Sequence, residues 1–114
     1  MFASTPEPPY YAVIFSSRRV ADDGAEYGRM SEAMAQLAPK QPGFLGIESV
    51  RAADGTGITV SYWASEEAIG AWKQVAAHLE AQRGGRERWY EDYATRVARV
   101  ERAYTKATSP RTGL

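Results

Sequence analysis

The sequence predicts a single domain of the α+β class. Its 114 residues are the length of one domain. Short apolar, β-branched runs alternate along the chain with segments of helical spacing, and Gly- or Pro-containing turns separate them. The hydrophobic fraction of 44% and the charged fraction of 25% are those of an ordinary globular protein. Alternation of this kind indicates a sheet covered by helices.

The first third of the chain predicts an arm, a strand and a helix. Residues 1–9 contain three prolines and indicate a flexible arm. The run from Tyr10 to Ser17 predicts a strand that is apolar at consecutive positions, so both of its faces should be covered. Asp22 and Asp23 are candidate N-caps of a helix. The apolar spacing of that helix follows at Tyr27, Met30, Met34 and Leu37.

The middle of the chain predicts a hairpin and a second helix. Two strands, Phe44 to Ala53 and Ile58 to Ala64, flank a Gly-containing turn. Ser65 is the candidate N-cap of a helix that runs to about Gln82. Its apolar stripe consists of Ile69, Trp72, Ala76 and Leu79.

The last part of the chain predicts a short helix, a strand and a tail. Gly84 and Gly85 interrupt the second helix, and Arg86 to Tyr93 has the pattern of a further short helix. Thr95 to Tyr104 predicts the final strand, and residues 106–114 predict a flexible tail. The domain itself therefore spans residues 10–105.

The complete order is β-α-β-β-α-β, that of a ferredoxin-like sheet whose two helices cover one face. The first strand is apolar on both faces, so the second face also needs a cover. Large exposed apolar patches are rare on monomers. The sequence therefore predicts a homodimer in which two sheets face each other, a dimeric α+β barrel.

Composition argues against several classes of function. The 14 Lys and Arg balance the 14 Asp and Glu, so we expect no nucleic-acid partner. The absence of cysteine excludes thiolate metal sites and a cysteine nucleophile, and we expect no metal site. We find neither the pattern of a signal peptide nor an apolar run of membrane-spanning length, which predicts a cytoplasmic protein without a membrane partner.

The stretch from Gln41 to Arg102 carries a series of motifs: Q-P-G-F-L-G-I-E-S, D-G-T-G-I-T-V-S-Y-W, E-E-A-I-G-A-W, H-L-E-A-Q, W-Y-E-D-Y and R-V-A-R-V-E-R. This series resembles the antibiotic biosynthesis monooxygenase superfamily of dimeric α+β barrels. Within it, the closest likeness is to a small bacterial branch whose reactions are mostly unassigned. The series indicates the fold more specifically than the reaction, because one fold hosts many chemistries.

The resemblance implies one of two chemistries in a pocket between the sheet and its helices. Some members are cofactor-free oxygenases acting on quinol-like or anthrone-like molecules with dioxygen, whereas others bind and degrade haem. A deprotonated polycyclic phenol can pass an electron to dioxygen itself, so a protein needs only to remove a proton, stabilise the anion and exclude water. We therefore expect no cofactor, with haem as the alternative. A non-catalytic dimer that binds a small apolar ligand is the third hypothesis.

Trp72 and His78 are two candidates for catalysis. Trp72 lies on the apolar stripe and should face the sheet, either as core or as a pocket wall that offers its indole N–H. The resemblance also matches Trp72 to a Trp of the haem-degrading members. His78, the one histidine, suits proton transfer near neutral pH, but its helical position is on the flank or the outside of the stripe. A surface role for His78 therefore stays open.

Tyr62 is the third catalytic candidate and Trp63 a candidate for substrate binding. The two side chains point to opposite faces of one strand. Ile58 and Val60 share the face of Tyr62, so we expect Tyr62 to meet the helices and Trp63 the dimer interface.

Five further residues are candidates for substrate binding, each with a structural alternative. Trp89 and Tyr90 would form a lid or pack in the core, and Arg86 would bind an anionic substrate or lie solvated on the surface. Met30 and Met34 would form a pliable binding surface or fill the core.

The sequence departs from the haem-degrading pattern in two places. Those members use an Asn on the first strand, but this sequence has no Asn, and Ser16 and Ser17 are the nearest polar groups. Their histidine ligand also lies further beyond the Trp than His78 lies beyond Trp72. The missing Asn removes an amide that some anthrone oxygenases use for anion stabilisation, so Tyr62 or the Trp72 N–H would have to replace it.

Overall fold

A computed structural model describes residues 2–20, 26–82 and 89–109. The order of elements is the predicted ferredoxin-like β-α-β-β-α-β. A short 3₁₀ turn, Ala38–Lys40, follows the first helix. The strands and helices are β1 Tyr10–Arg19, α1 Glu26–Leu37, β2 Phe44–Arg51, β3 Thr56–Trp63, α2 Glu66–Gln82 and β4 Tyr90–Val100. Within the described chain, neither helix is long and apolar enough to cross a membrane.

The four strands form one antiparallel sheet in the order β2-β3-β1-β4. Directly paired residues share a face of the sheet, which sorts the side chains into rows across the strands. Both helices contact the same face, which we call the helix side. Its four rows are Phe44–Trp63–Tyr11–Arg99, Ile47–Ser61–Val13–Val97, Ser49–Thr59–Phe15–Thr95 and Arg51–Gly57–Ser17–Tyr93.

Local sequence explains where the elements begin and turn. The Ser65 hydroxyl accepts a hydrogen bond from the Ala68 N–H at 3.1 Å, which confirms the predicted N-cap of α2. Gly55 supplies the positive φ of 91° in the β2–β3 turn. Gly43 has a φ of 83° and packs so closely on α2 that a Cβ there would lie 2.6 Å from the Cβ of Ala68. The start of β2 therefore packs directly against the start of α2 at Gly43.

The core lies between the sheet and the helices and has two parts. At one end, Trp63 is fully buried between Phe44 and Trp72 of α2. At the other, Met30 of α1 packs against Trp89 and Tyr90. The half-buried neighbours of this second cluster are Phe15, Tyr27 and Met34.

The short helix predicted over Arg86 to Tyr93 is wrong where the structure describes the chain. Tyr90 already begins β4 and pairs with Arg19, and the Trp89 carbonyl accepts a hydrogen bond from the Val20 N–H at 2.8 Å. Long-range pairing with β1 therefore overrides the helical spacing of this segment. Residues 83–88, like Asp22 and Asp23, lie outside the described residues.

The second face of the sheet, which we call the open side, carries neither of the two described helices. Ile58 and Val50 are 49% and 77% exposed there. The N-terminal arm lies against one end of this face, where the Ala3 N–H donates to a Glu48 carboxylate oxygen at 2.8 Å. The flexibility of the arm stays a prediction.

Candidate functional site

The helix side of the sheet is incompletely covered by the two helices. Val97, Tyr93 and Ile47 are 51%, 42% and 40% exposed although they face the same way as the helices. Val13 and Phe15 of the central strand are only half-buried. We call this partly covered surface, from the Trp63 row to the Gly57 row, the helix-side cleft. Six residues of extended β3 separate the two ends, or about 20 Å.

A pair of stacked tryptophans forms one end of the cleft. The rings of Trp63 and Trp72 lie 6.0 Å apart at 24°, and the Trp63 indole N–H donates to the hydroxyl of Ser61 at 2.8 Å. Trp63 is fully buried, whereas Trp72 is half-buried. The Trp72 ring is thus accessible to a ligand, and the buried Trp63 ring stacks against it on the side of the sheet.

Hydroxyl groups and apolar side chains alternate over the middle of the cleft. One row contains Ser49, Thr59 and Thr95 beside Phe15, and the neighbouring row sets the Ser61 hydroxyl between apolar residues. Such a surface offers contact area to an aromatic ring and a few polar groups that can orient it.

Arg51 and Tyr27 form the other end of the cleft. The Arg51 guanidinium donates to the Tyr27 hydroxyl at 3.1 Å, to the Ser17 hydroxyl at 3.3 Å and to the Gly55 carbonyl. The Arg19 guanidinium carbon lies 3.8 Å from the centre of the Tyr27 ring. This end is therefore cationic and rich in hydroxyl groups.

Tyr90 and Glu80 lie next to this cationic end. The Tyr90 hydroxyl donates to that of Tyr27 at 3.5 Å. Burial first, then the hydrogen bond to Tyr27 and the negative charge of Glu80, raise the pKa of Tyr90 above its usual range, and Arg51 opposes the shift. Tyr90 is therefore a neutral hydrogen-bond donor at physiological pH.

The predicted orientation of Tyr62 and Trp63 is wrong. Trp63 pairs with Tyr11 on the helix side, whereas Tyr62 pairs with Ala12 on the open side. There the Tyr62 hydroxyl donates to a Glu48 carboxylate oxygen at 2.7 Å. Burial of Tyr62 comes first, followed by the hydrogen bond to the Glu48 carboxylate and its negative charge. Together they raise the pKa of Tyr62 to about 12.

The physical reason is that apolar residues occur on both faces of β3. Ile58 and Val60 do share the face of Tyr62, but that face is the open side, where Ile58 is 49% exposed. The structure thus separates Tyr62 from Trp72 by the thickness of the sheet.

The other candidate residues are scattered over the molecule. His78 is exposed on α2, two positions and hence about 200° from the buried Ala76. Trp89 and Met30 are buried in the core, with exposures of 0% and 3%. Met34 is half-buried against the same cluster, and Arg86 lies outside the described residues.

Sequence reasoning missed Arg51, Tyr27 and Glu80. Glu80 continues the stripe of Trp72 and Ala76 by one more helical turn and is only 7% exposed, so a carboxylate at a stripe position was the available signal. Arg51 and Tyr27 carried no local signal, because only the strand register and the packing of α1 bring them together.

A second concave region lies elsewhere on the described chain. It is a shallow open groove of about 430 Å³ beyond the end of β4, lined by Arg99, Val100, Glu101, Arg102 and Tyr104. Its side chains are mostly exposed and include the Arg99–Glu101 ion pair, whose side chains are half or more exposed. We place the candidate site in the helix-side cleft, because among the described residues only the cleft combines a tryptophan stacked on a buried ring with a buried hydroxyl and a half-buried cation.

The residues of the cleft do not fit haem bound through histidine. His78, the one histidine of the sequence, is on the outer side of α2, away from the stripe of Trp72 and Ala76. Among the described residues, no cluster of three or more carboxylate, histidine or cysteine side chains forms a metal site.

Comparison with known proteins identifies the family of this chain. The model of the antibiotic biosynthesis monooxygenase family matches residues 11–84. YqjZ of Bacillus subtilis, an uncharacterised protein, is 58% identical over 100 residues, covering 88% of this chain and 87% of YqjZ. The jasmonate monooxygenase ABM of Pyricularia oryzae is 30% identical over 94 residues, which are 79% of this chain but only 43% of that protein.

Solved structures show the same fold. A variant of SnoaB from Streptomyces nogalater, a cofactor-independent oxygenase, superposes with a TM-score of 0.67 at 11% sequence identity. The match covers 82% of this chain and 95% of SnoaB.

Proposed function

Because this chain belongs to the antibiotic biosynthesis monooxygenase family, we propose that it is a monooxygenase that oxidises a quinol-like or anthrone-like aromatic molecule with dioxygen and without a cofactor. Two relatives support this assignment by their names, the cofactor-independent oxygenase SnoaB and the jasmonate monooxygenase. The likeness to SnoaB supports the fold, and the reaction is our proposal.

One observation carries the proposal for this chain. The helix-side cleft exposes 51% of Val97 and 40% of Ile47 on the face that the helices cover, one row of the sheet from Trp63, on which the half-buried ring of Trp72 stacks. Apolar surface left open beside a supported indole is suited to a flat aromatic molecule. The separation of about 20 Å between the two ends of the cleft exceeds the length of three fused rings.

The chemistry requires electrons that an anthrone-like substrate itself supplies. Oxidation of its CH₂ group breaks two C–H bonds and forms one C=O bond, with one oxygen atom of dioxygen entering the product and the other leaving as water. The protein's part is to favour the substrate anion, to hold dioxygen beside it and to exclude bulk water. The hydroxyl groups over the middle of the cleft are suited to the first of these tasks, and the Trp72 ring to the third.

We further propose that the protein is a homodimer formed through the open side of the sheet. Ile58 and Val50 are well exposed there, and Ile14 and Val60 beside them are half-buried. A second copy would cover this apolar surface. The helix-side cleft of each subunit stays on the outside of such a pair.

Oxygen uptake tests the proposed reaction. The purified protein is mixed with dithranol, a hydroxylated anthrone, or with a substituted hydroquinone, and an electrode records oxygen above the rate of spontaneous oxidation. We expect uptake without added metal or flavin and at least a tenfold loss of rate in Trp72→Ala, because the ring that holds the substrate is gone. Lys73→Ala, an exposed neighbour on α2, is the matched control and should keep the rate.

The same experiment separates the alternatives. Tight binding of dithranol without any oxygen uptake would contradict the reaction and favour a non-catalytic ligand-binding protein. A rate in Trp72→Ala equal to the wild-type rate would contradict the site. A Soret band that titrates with haem and disappears in His78→Ala would favour the haem hypothesis instead.

A further inference from the structure

We infer that Arg51, with Tyr27, binds the anionic oxygen of an aromatic ligand at one end of the helix-side cleft. The ligand class is an aryl ring that bears a phenolate or a carboxylate. The inference rests on the proposed function for the identity of the natural ligand, but the anion site is argued from the geometry alone.

The Arg51 guanidinium lies flat on the sheet in a position that only glycine permits. A Cβ at Gly57 would lie 2.8 Å from Cζ of Arg51 and 3.0 Å from both of its terminal nitrogens. Gly57 itself is buried in β3. The missing side chain at Gly57 therefore leaves room for the cation directly on the strand, and its hydrogen bonds hold it there, as a binding group needs.

Arg51 has no carboxylate partner among the described residues. Its hydrogen bonds go to three neutral oxygens, those of Gly55, Ser17 and Tyr27. A half-buried guanidinium is most stable with an anion beside it. An anionic oxygen of a ligand would supply the missing charge.

Tyr27 adds a hydrogen-bond donor that the described part of the chain does not use. Its hydroxyl oxygen accepts from Arg51 at 3.1 Å and from Tyr90 at 3.5 Å, and its own proton has no acceptor among the described residues. Two donors to one hydroxyl oxygen strengthen that hydroxyl as a donor. The proton of Tyr27 is thus available to a ligand oxygen beside Arg51.

The surroundings fit an aromatic anion in particular. Tyr93 lies in the same row of the sheet as Arg51 and is 42% exposed, and Phe15 lies 5.7 Å from the Tyr93 ring. These rings offer a surface on which a ligand ring can stack. The negative charge of Glu80, which acts on Tyr90, disfavours an anionic ligand nearby. Arg19 and Arg51, however, together place two cations around Tyr27.

Equilibrium binding of two probes tests the inference. The probes are 2-naphthoate and 2-naphthamide, which share shape and size but differ in charge, and neither is a substrate for oxidation. We expect the wild-type protein to bind the naphthoate at least about tenfold more tightly, as a charge-assisted hydrogen bond allows. Arg51→Met should abolish this preference and leave the affinity for the amide within about twofold.

Two further variants guard against a misfolded Arg51→Met. Tyr27→Phe removes one hydroxyl and should weaken naphthoate binding severalfold while the circular dichroism spectrum stays unchanged. Arg102→Met removes one exposed cation beyond the far end of β4 and should keep the full preference.

Each outcome has one meaning. Equal binding of both probes by the wild-type protein, or a full preference in a folded Arg51→Met, would overturn the anion site. Absence of binding by both probes would overturn it as well. A charge preference that depends on Arg51, together with no oxygen uptake, would leave the anion site standing and contradict the proposed oxidation.

Discussion

Trp63 and Trp89 are both fully buried, but their indole N–H groups are in different situations. The N–H of Trp63 donates to the Ser61 hydroxyl, whose residue is itself only 7% exposed. The N–H of Trp89 has no hydrogen-bond partner among the described residues. A buried polar group without a partner costs about 1–3 kcal/mol.

This difference predicts unequal effects of the same substitution. Trp63→Phe loses packing and leaves the Ser61 hydroxyl without its donor, whereas Trp89→Phe loses packing but also removes an N–H that has no partner in the described part of the chain. We expect Trp63→Phe to lower the free energy of unfolding by at least about 1 kcal/mol more than Trp89→Phe does. Urea unfolding measures both values, and equal losses would contradict the hydrogen-bond assignment.

Glu48 predicts a dependence of stability on pH. The hydrogen bonds from Tyr62 and from the Ala3 N–H lower the pKa of Glu48 below its ordinary value of 4.5. The unfolded chain therefore binds a proton at a higher pH than the folded chain does. The resulting stabilisation is present above about pH 4.5 and is lost as the pH falls through the lower pKa of the folded state.

Tyr62→Phe should reduce this effect, because Tyr62 is the main cause of the shift. We expect the stability difference between the wild-type protein and Tyr62→Phe to be larger at neutral pH than at roughly pH 3. Urea midpoints at the two pH values measure it. A difference that is the same at both values would show that Glu48 does not depend on Tyr62.

At the residue scale, the sequence predicted which positions of α2 face the sheet better than which face of β3 a side chain occupies. Trp72 on the sheet-facing stripe and His78 away from it both follow from helical spacing, and the structure agrees with both positions. The orientation of Tyr62 does not follow from alternation, because β3 is apolar on both faces. Arg51 and Tyr27 meet only through strand register, which no local pattern reports.

Gly70 and Gly43 differ in whether the structure leaves room for a side chain. Gly70 is in α2, and a Cβ there would meet nothing within 4 Å. Gly43, in the turn before β2, has a φ of 83° and no space for a Cβ. The first glycine is replaceable and the second is not.

Alanine at these two positions should therefore act in opposite directions. Gly70→Ala should raise the free energy of unfolding by about 0.5–1 kcal/mol, because alanine loses less backbone entropy in a helix. Gly43→Ala should lower it by about 1–3 kcal/mol through backbone strain and the clash with Ala68. Thermal unfolding of the two variants checks the signs, and a stabilised Gly43→Ala would contradict the described turn.

At the element scale, six of the predicted segments are present, with boundaries that differ by a few residues. The start of α2 was predictable because its N-cap, Ser65, is a signal in the local sequence. The segment of Trp89 and Tyr90 shows the limit. Its spacing is compatible with a helix, and only pairing with β1, far away in sequence, makes it a strand.

For the whole molecule, the two faces of the sheet make a prediction about assembly. Ile58 on the open side and Val97 on the helix side are 49% and 51% exposed, so a charge at either position is tolerated by the folded chain. Ile58→Asp would place its carboxylate inside the proposed dimer interface. Val97→Asp would place it in the helix-side cleft.

We therefore expect a dimeric mass for the wild-type protein and for Val97→Asp at micromolar concentration, and a monomeric mass for Ile58→Asp. Light scattering coupled to size-exclusion chromatography measures all three. A monomeric wild-type protein, or a dimeric Ile58→Asp, would contradict assembly through the open side.

The fate of dioxygen tests the central claim most directly. The protein is mixed with dithranol under ¹⁸O₂ in ordinary water, and the mass of the quinone product is recorded against a sample without protein. The proposed reaction predicts protein-dependent product that carries one ¹⁸O atom, because one atom of dioxygen enters the new carbonyl group. Product formed no faster than in the protein-free sample, or formed by the protein without ¹⁸O, would contradict a monooxygenase.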